Sequence, residues 1–210
     1  MGKLIAVIGA SGVGKTALVR ALAKAYPPAL SPVEGFETAY EQHPDRPFQA
    51  LFKEDARYAL ANQIDYLLLR AEQEKRLRIS PRIGLIDGGL DLDFYGFTRL
   101  FHRRGMLTGP EFDLCRGVYN LIREVLPVPE LLVRLRADEG TVARRLSTRD
   151  RINIARADDT ALFDSFLDEW LASIPSEQIL ELNVSNETLE YKQSANIILD
   201  KIHKLFLARI

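Results

Sequence analysis

Two rhythms of apolar residues alternate along the chain. Short unbroken apolar runs are separated by longer stretches in which apolar positions recur every third or fourth residue. Leu4 to Ile8 and Ile83 to Ile86 read as buried strands, Leu131 to Leu135 and Gln178 to Leu182 as two more strands, and Leu30 to Val33 as a short one containing Pro32. Thr16 to Ala25 carries an apolar stripe (Leu18, Val19, Leu22) and is stopped by Tyr26-Pro27-Pro28. From Phe48 to Leu77, residues such as Leu51, Phe52, Leu60, Ile64, Leu67 and Leu68 keep helical spacing, and the segment closes in the charged stretch Glu72 to Arg78. It predicts one long helix, or two with a bend. Further helices are predicted over Leu92 to Arg103, Pro110 to Leu126, Gly140 to Leu146, Ala161 to Ala172 and Leu189 to Leu207. Ser147 to Asp159 is polar, Arg-rich and without an apolar period. Strands alternating with helices imply a five-stranded parallel sheet with helices on both faces, and right-handed crossovers make it a doubly wound, three-layer α/β sandwich. Its ligands belong beyond the carboxyl ends of the strands.

Composition narrows the classes. The 210 residues suit a single domain, 1–210, with a proper core. Lys plus Arg number 28 against 29 Asp plus Glu, so no global basic field favours nucleic acid or an anionic membrane. Cys115 is the sole cysteine, which excludes an intrachain disulfide framework and a Cys-rich metal site. The first residues are too short an apolar segment for a signal peptide, and Gly2 leads straight into a strand rather than a lipidated arm. No apolar stretch reaches 18 residues, so no membrane span is expected and a cytoplasmic location is.

The strongest chemical signal is Gly9-Ala10-Ser11-Gly12-Val13-Gly14-Lys15-Thr16, which fits G-x-x-x-x-G-K-[ST] in full. Glycines let the backbone wrap so that N–H groups face phosphate oxygens, and the following helix adds its positive end. Lys15 supplies charge to the outer phosphates and Thr16 a hydroxyl to a metal, so ATP with magnesium is the expected ligand. A glycine-rich turn matching by chance is the bland alternative. Asp87 ends a strand and is a second candidate for magnesium, although Asp-Gly is also a common turn pair. Arg144, Arg145, Arg149, Arg151 and Arg156 crowd a polar region, read as a lid over about residues 147–159 that neutralises transferred charge; a solvated basic face is the alternative.

Taken in order, these motifs resemble the deoxynucleoside kinase family, from Lys3 to about Asn183. Glu34 falls where that family has its general base. Phe52-Lys-Glu-Asp-Ala-Arg57-Tyr58 with Gln63 and Arg70 resembles its Q-x6-R stretch, whose Gln contacts the base. Asp87-Gly-Gly-Leu-Asp-Leu-Asp93, followed by Phe97, resembles its E/D-R-S segment. Arg145, Arg149 and Arg151 fall on its lid arginines, and Trp170-Leu171 on a W-L before the last strand. The resemblance implies a P-loop NTPase fold, catalysis by Glu34, Lys15 and the lid arginines, and a substrate pocket of Gln63, Arg70, Asp93, Phe97 and Phe52. Arg70 and Asp93 would form a charged pair that reads the base, and Phe97 would pack on its face; taken singly, Gln63 and Arg70 would line the exposed side of a helix.

The departures are equally specific. Gly88 and Gly89 replace the family's Arg and Ser, Phe52 replaces the tyrosine that binds the sugar 3′-hydroxyl, and Ile154 replaces an acidic lid residue. Arg57 or Arg99 is a candidate replacement for the missing arginine. The expected activity is transfer of the γ-phosphoryl group of ATP to a nucleoside hydroxyl. The alternatives are a nucleoside monophosphate kinase of the thymidylate kinase kind and a catalytically weak nucleotide sensor. The resemblance and the two long amphipathic segments also suggest a homodimer through helices.

Overall fold

Alternation along β1 (Leu4–Ile8) sets up both faces of the sheet. Ile5 and Val7 point into one apolar cluster, with Leu18, Val19 and Leu22 of α1 (Lys15–Ala25) and Ile198 and Ile202 of α8 (Lys192–Ile202). Leu4, Ala6 and Ile8 point into the other, with Leu77 of α3 (Ala59–Ile79) and Phe163, Leu167 and Trp170 of α7 (Thr160–Leu171). A strand covered on both sides needs an unbroken apolar run, which is what Leu-Ile-Ala-Val-Ile supplies. The chain is described by a computed structural model at residues 1–25, 35–40, 46–147, 159–188 and 190–207. Tyr26-Pro27-Pro28, the Leu30 to Val33 strand, Glu34, and the greater part of the Arg-rich lid with Arg149 and Arg151 lie outside those residues.

The sheet has five parallel strands in the order β2-β3-β1-β4-β5, with β2 at Phe36–Ala39, β3 at Ile83–Asp87, β4 at Leu131–Arg136 and β5 at Ile179–Asn183. This is the expected three-layer α/β sandwich. β2 has no counterpart in the apolar pattern because it is a short edge strand whose Glu37 and Thr38 stay half-exposed.

The long helical segment takes the bent form. α2 (Pro47–Glu54) ends at Asp55, whose carboxylate accepts the Arg57 N–H at 2.9 Å and opens a single 3-10 turn, Ala56–Tyr58, before α3. Leu92–Thr98 winds as wide, i→i+5 turns and leads into α4 (Arg99–Arg103), and α5 (Gly109–Val125) and α6 (Glu139–Ser147) complete the helices used below. A third apolar cluster lies outside the sheet, where Phe52, Leu67, Phe94, Phe101, Cys115 and Tyr119 join α2, α3, the wide turns, α4 and α5. Within it burial, helped by the Glu111 charge, pushes the Cys115 thiol up to about 11, so this cysteine is an inert packing group.

Gly96 lets α7 approach the wide turns, because a Cβ at that position would stand 2.3 Å from Cζ of Phe163. Gly96→Ala is therefore expected to destabilise the fold by about 1–3 kcal/mol through overpacking. A fall in the urea midpoint at unchanged m-value checks it; an unshifted midpoint would show that α7 yields without cost.

Candidate active site

Parallel pairing of β1 with β3 brings the two halves of the site together. Val7 lies opposite Asp87, and the Gly88 N–H donates to the Val7 carbonyl at 2.9 Å, so both strands end at one level. The loop after β1 is the predicted phosphate cradle. Gly14 sits at φ 111°, in the region reserved for glycine, and a Cβ there would come within 1.9 Å of the Tyr191 hydroxyl oxygen. Tyr191 is fully buried and itself left-handed (φ 48°) at the start of α8, which marks a tightly held wall behind the loop.

Lys15 folds back over the loop, its Nζ donating to the carbonyls of Gly9 (2.9 Å) and Ala10 (3.0 Å). An ammonium poised there can exchange those carbonyls for phosphate oxygens. The Thr16 hydroxyl donates to Oδ2 of Asp87 at 2.5 Å, so the two oxygens chosen for magnesium sit side by side at the root of the cradle. Among the described residues no group of three or more His, Cys, Asp or Glu is arranged around a metal position. A magnesium ion here would rely on Thr16, Asp87, phosphate oxygens and water, the ligand set that this hydrated cation prefers.

Arg145 takes a different place from that of a lid arginine reaching over the reaction. Its Nη1 donates to the Val13 carbonyl at 2.6 Å and its Nη2 to the Val184 carbonyl at 3.0 Å, tying α6 and the segment after β5 to the cradle's outer rim. Arg104 pairs with Asp159, where the described chain resumes beyond the Arg-rich stretch.

Three of the residues expected to meet the substrate, Gln63, Arg70 and Asp93, converge on the same strand end. Arg70 Nε donates to Oδ2 of Asp93 at 2.7 Å, forming a pair whose side chains are 3% and 4% exposed. Arg70 Nη1 also donates to Oε1 of Gln73 and to the Asp87 carbonyl, each at 3.0 Å. Gln63 Nε2 donates to the Asp93 carbonyl at 3.1 Å. The expectation that Gln63 and Arg70, taken singly, line an exposed helix face is thus corrected: both are buried, because their spacing puts them in phase with Leu67 and Leu77 on the inward side of α3. Asp87 touches both halves at once, its carboxylate meeting Thr16 and its carbonyl meeting Arg70.

Phe97 is half-buried and meets the Phe163 ring edge-on, with centroids 5.0 Å apart. Phe52 is buried 5.1 Å from Phe101, within the third cluster, so packing governs its position. Neither candidate for the missing arginine stands beside Asp87. Arg57 pairs with Asp55 and lies over the Tyr58 ring, and Arg99 pairs with Glu169 and lies over Phe166. The residue that does approach the altered turn is Arg70: a Cβ on Gly88 would stand 3.0 Å from its Nη2. Gly88 and Gly89, at φ 87° and 117°, form a turn that leaves room for this guanidinium.

Sequence reasoning missed a second buried set, Glu74, Asp91, Tyr119 and Arg123, behind the turn. Glu74 lies in the charged stretch that closes the helix, yet it follows Arg70 by four residues and shares its inward face. Burial, the dominant influence, pushes its carboxyl above the ordinary value, with Arg123 acting in the opposite direction.

A family model described as deoxynucleoside kinase matches residues 5–207 of the chain. Among solved structures, a deoxyadenosine kinase from M. mycoides with the products dCMP and a flexible dCDP superposes with a TM-score of 0.74 at 18% identity, covering 96% of this chain and 100% of that one. Its dCTP-bound form gives the same TM-score, identity and coverage. The dATP-bound form superposes equally well, over 95% of this chain and 99% of that one. No curated protein sequence matches the chain.

The cradle's dependence on a bare Cα at Gly14 can be tested directly. Gly14→Ala is expected to weaken Mg-ATP binding at least about tenfold, or about 1.4 kcal/mol, while circular dichroism stays native. Isothermal titration checks it, and undiminished affinity would mean that the loop does not grip the phosphates.

Proposed function

The chain belongs to the deoxynucleoside kinase family and is a nucleoside-kinase-like phosphotransferase; from that premise we propose that it transfers the γ-phosphoryl group of ATP to the 5′-hydroxyl of a deoxynucleoside or a close analogue. The observation that carries this reading is the double engagement of Asp87, with the phosphate loop through Thr16 and with the Arg70–Asp93 pair through its carbonyl. It supports one cleft in which a polyphosphate and a nucleobase lie on either side of a single strand end.

In this reading the loop amides and Lys15 hold and neutralise the triphosphate. Thr16 and Asp87 would hold magnesium, which would supply positive charge to the transferred group. Glu34, carried from the family resemblance and outside the described residues, accepts the proton of the attacking hydroxyl. That oxygen bonds to the γ-phosphorus as the bond to the bridging oxygen breaks, and ADP leaves. Gln63 and the Arg70–Asp93 pair present donors and acceptors to the base edge, with Phe97 against its face. Arg149 and Arg151 supply lid cations by the same resemblance, whereas Arg145 holds the cradle rim. With Phe52 lacking a hydroxyl, the sugar 3′ position loses one hydrogen-bonding partner, and discrimination there is relaxed.

One observation bears on the monophosphate alternative. A cation does stand against Gly88, namely Arg70, but it already serves Asp93, Gln73 and the Asp87 carbonyl. That favours an uncharged acceptor. We also propose a homodimer. Leu114, Leu121 and Val125 repeat along the outer face of α5, and Val125 joins Ile79 and Ala71 of α3 around an apolar groove of about 450 Å³. The adjoining outer faces of α3 and α5 are suited to pack on the same faces of a second copy about a twofold axis. No described helix is long and apolar enough to cross a membrane; from the family resemblance we propose a cytoplasmic location.

A panel of nucleosides and nucleoside monophosphates with Mg-ATP, read as ADP release, tests the activity. Deoxynucleosides are expected to stimulate release and monophosphates not. Glu34→Gln is expected to lower kcat by about 10²–10⁴ while leaving ATP affinity intact. Release driven only by monophosphates would transfer the assignment to the alternative. For the assembly, sedimentation is expected to give a dimer and Leu121→Glu a monomer; a wild-type monomer at micromolar concentration refutes the proposed interface.

A further inference from the structure

The Gly88–Gly89 turn has no side chain of its own, yet Asp87 and Asp93 stand on either side of it. Something else must hold it, because two glycines give the backbone its greatest freedom. The support lies in the buried cluster behind it. Glu74, with no exposed surface, accepts the Leu90 N–H on Oε1 at 3.1 Å. Arg123 reaches in from α5, donating through Nη1 to Oε2 of Glu74 at 2.8 Å and through Nη2 to Oε1 at 3.1 Å. The same guanidinium grips Asp91, with Nε donating to Oδ1 at 2.9 Å and Nη2 to Oδ2 at 2.8 Å. The Tyr119 hydroxyl donates to Oδ1 of Asp91 at 2.7 Å.

One arginine therefore binds two buried carboxylates, each from a different element, with forked geometry. Without it the carboxylates face each other uncompensated at low dielectric, and their repulsion acts on the segment Leu90 to Asp93. That segment is short and continuous with the site: the Asp93 N–H donates to the Gly89 carbonyl at 3.1 Å, and the Asp93 carboxylate holds Arg70.

We infer that Arg123, with Glu74, Asp91 and Tyr119, is a positioning residue that fixes the diglycine turn and so sets Asp93 and Arg70 for the acceptor. In this chain the turn is held from behind by α5, in place of side chains of its own. The inference rests on the kinase reading for its activity readout but not for its structural one.

Hydrogen exchange of the unliganded protein and steady-state kinetics with Mg-ATP and deoxyadenosine or deoxycytidine are measured for Arg123→Gln, Arg123→Lys and the gentler Tyr119→Phe. In Arg123→Gln, exchange is expected to rise in peptides covering 88–94 and to stay unchanged in those covering 4–16. KM for the nucleoside is expected to rise about tenfold, with KM for ATP within about twofold, as a displaced acceptor subsite requires. Arg123→Lys keeps the charge without the fork and is expected to recover part of the loss; Tyr119→Phe, which loses one hydrogen bond, is expected to shift both readouts in the same direction by less. If Arg123→Gln is too unstable to study, Tyr119→Phe decides by the same local pattern. Exchange raised evenly across the chain, or both KM values moving together, would reduce the cluster to a general brace and overturn the inference. If wild type turns over neither nucleoside, exchange alone decides the positioning claim and it is the kinase reading that fails.

Discussion

Two parallel strands, β1 and β3, run side by side with Val7 opposite Asp87, and the chain leaves both of them through glycines. Neither strand can slip by one residue without turning its buried side chains to the wrong cluster, so the register is held by the whole core. That register puts the phosphate cradle and the Asp87 carboxylate at one level, where the Thr16 hydroxyl can reach across. It also delivers the Asp87 carbonyl to Arg70. The candidate phosphate loop and the Arg70–Asp93 pair thus share one strand end because a parallel sheet aligns its carboxyl termini.

The inward face of α3 is unusual for a helix packed on a sheet. Gln63, Arg70, Gln73, Glu74 and Arg78 are all buried among Leu67 and Leu77. Taking such groups out of water is costly, and ion pairs in the interior give back little net stability. Their gain lies in geometry. A buried guanidinium with three partners has few alternative positions, so Arg70 presents a fixed pattern of donors, and Arg123 does the same for the turn from the opposite side. The arrangement is consistent with a turn of two glycines that relies on neighbouring helices for rigidity.

Some features were legible from residue order because their signal is local. The cradle needs glycines at set spacing and a lysine and threonine at the helix start, and Gly9 to Thr16 states this directly. β1 is buried on both faces and so appears as an unbroken apolar run, while β3 and β4 carry similar runs interrupted by Gly84 and by the buried Arg134. β2 was not legible, since a four-residue edge strand with only Phe36 and Ala39 buried leaves too short a pattern to read. The burial of Gln63, Arg70 and Glu74 was hidden for a related reason. A polar residue in phase with an apolar stripe is a sign of an interior partner, but the partners, Asp93, Asp87 and Arg123, lie 17 to 49 residues away along the chain.

The chain's own order of residues determined the fold class, the family and the candidate phosphate loop, because each depends on periodicity or on contiguous spacing. Only the tertiary structure decided that Arg145 braces the cradle rim, that Arg70 stands against Gly88, and that Arg123 holds the turn. Those are contacts between elements remote in sequence. Which guanidinium meets which carboxylate is settled by how the helices pack, and no local pattern encodes that choice.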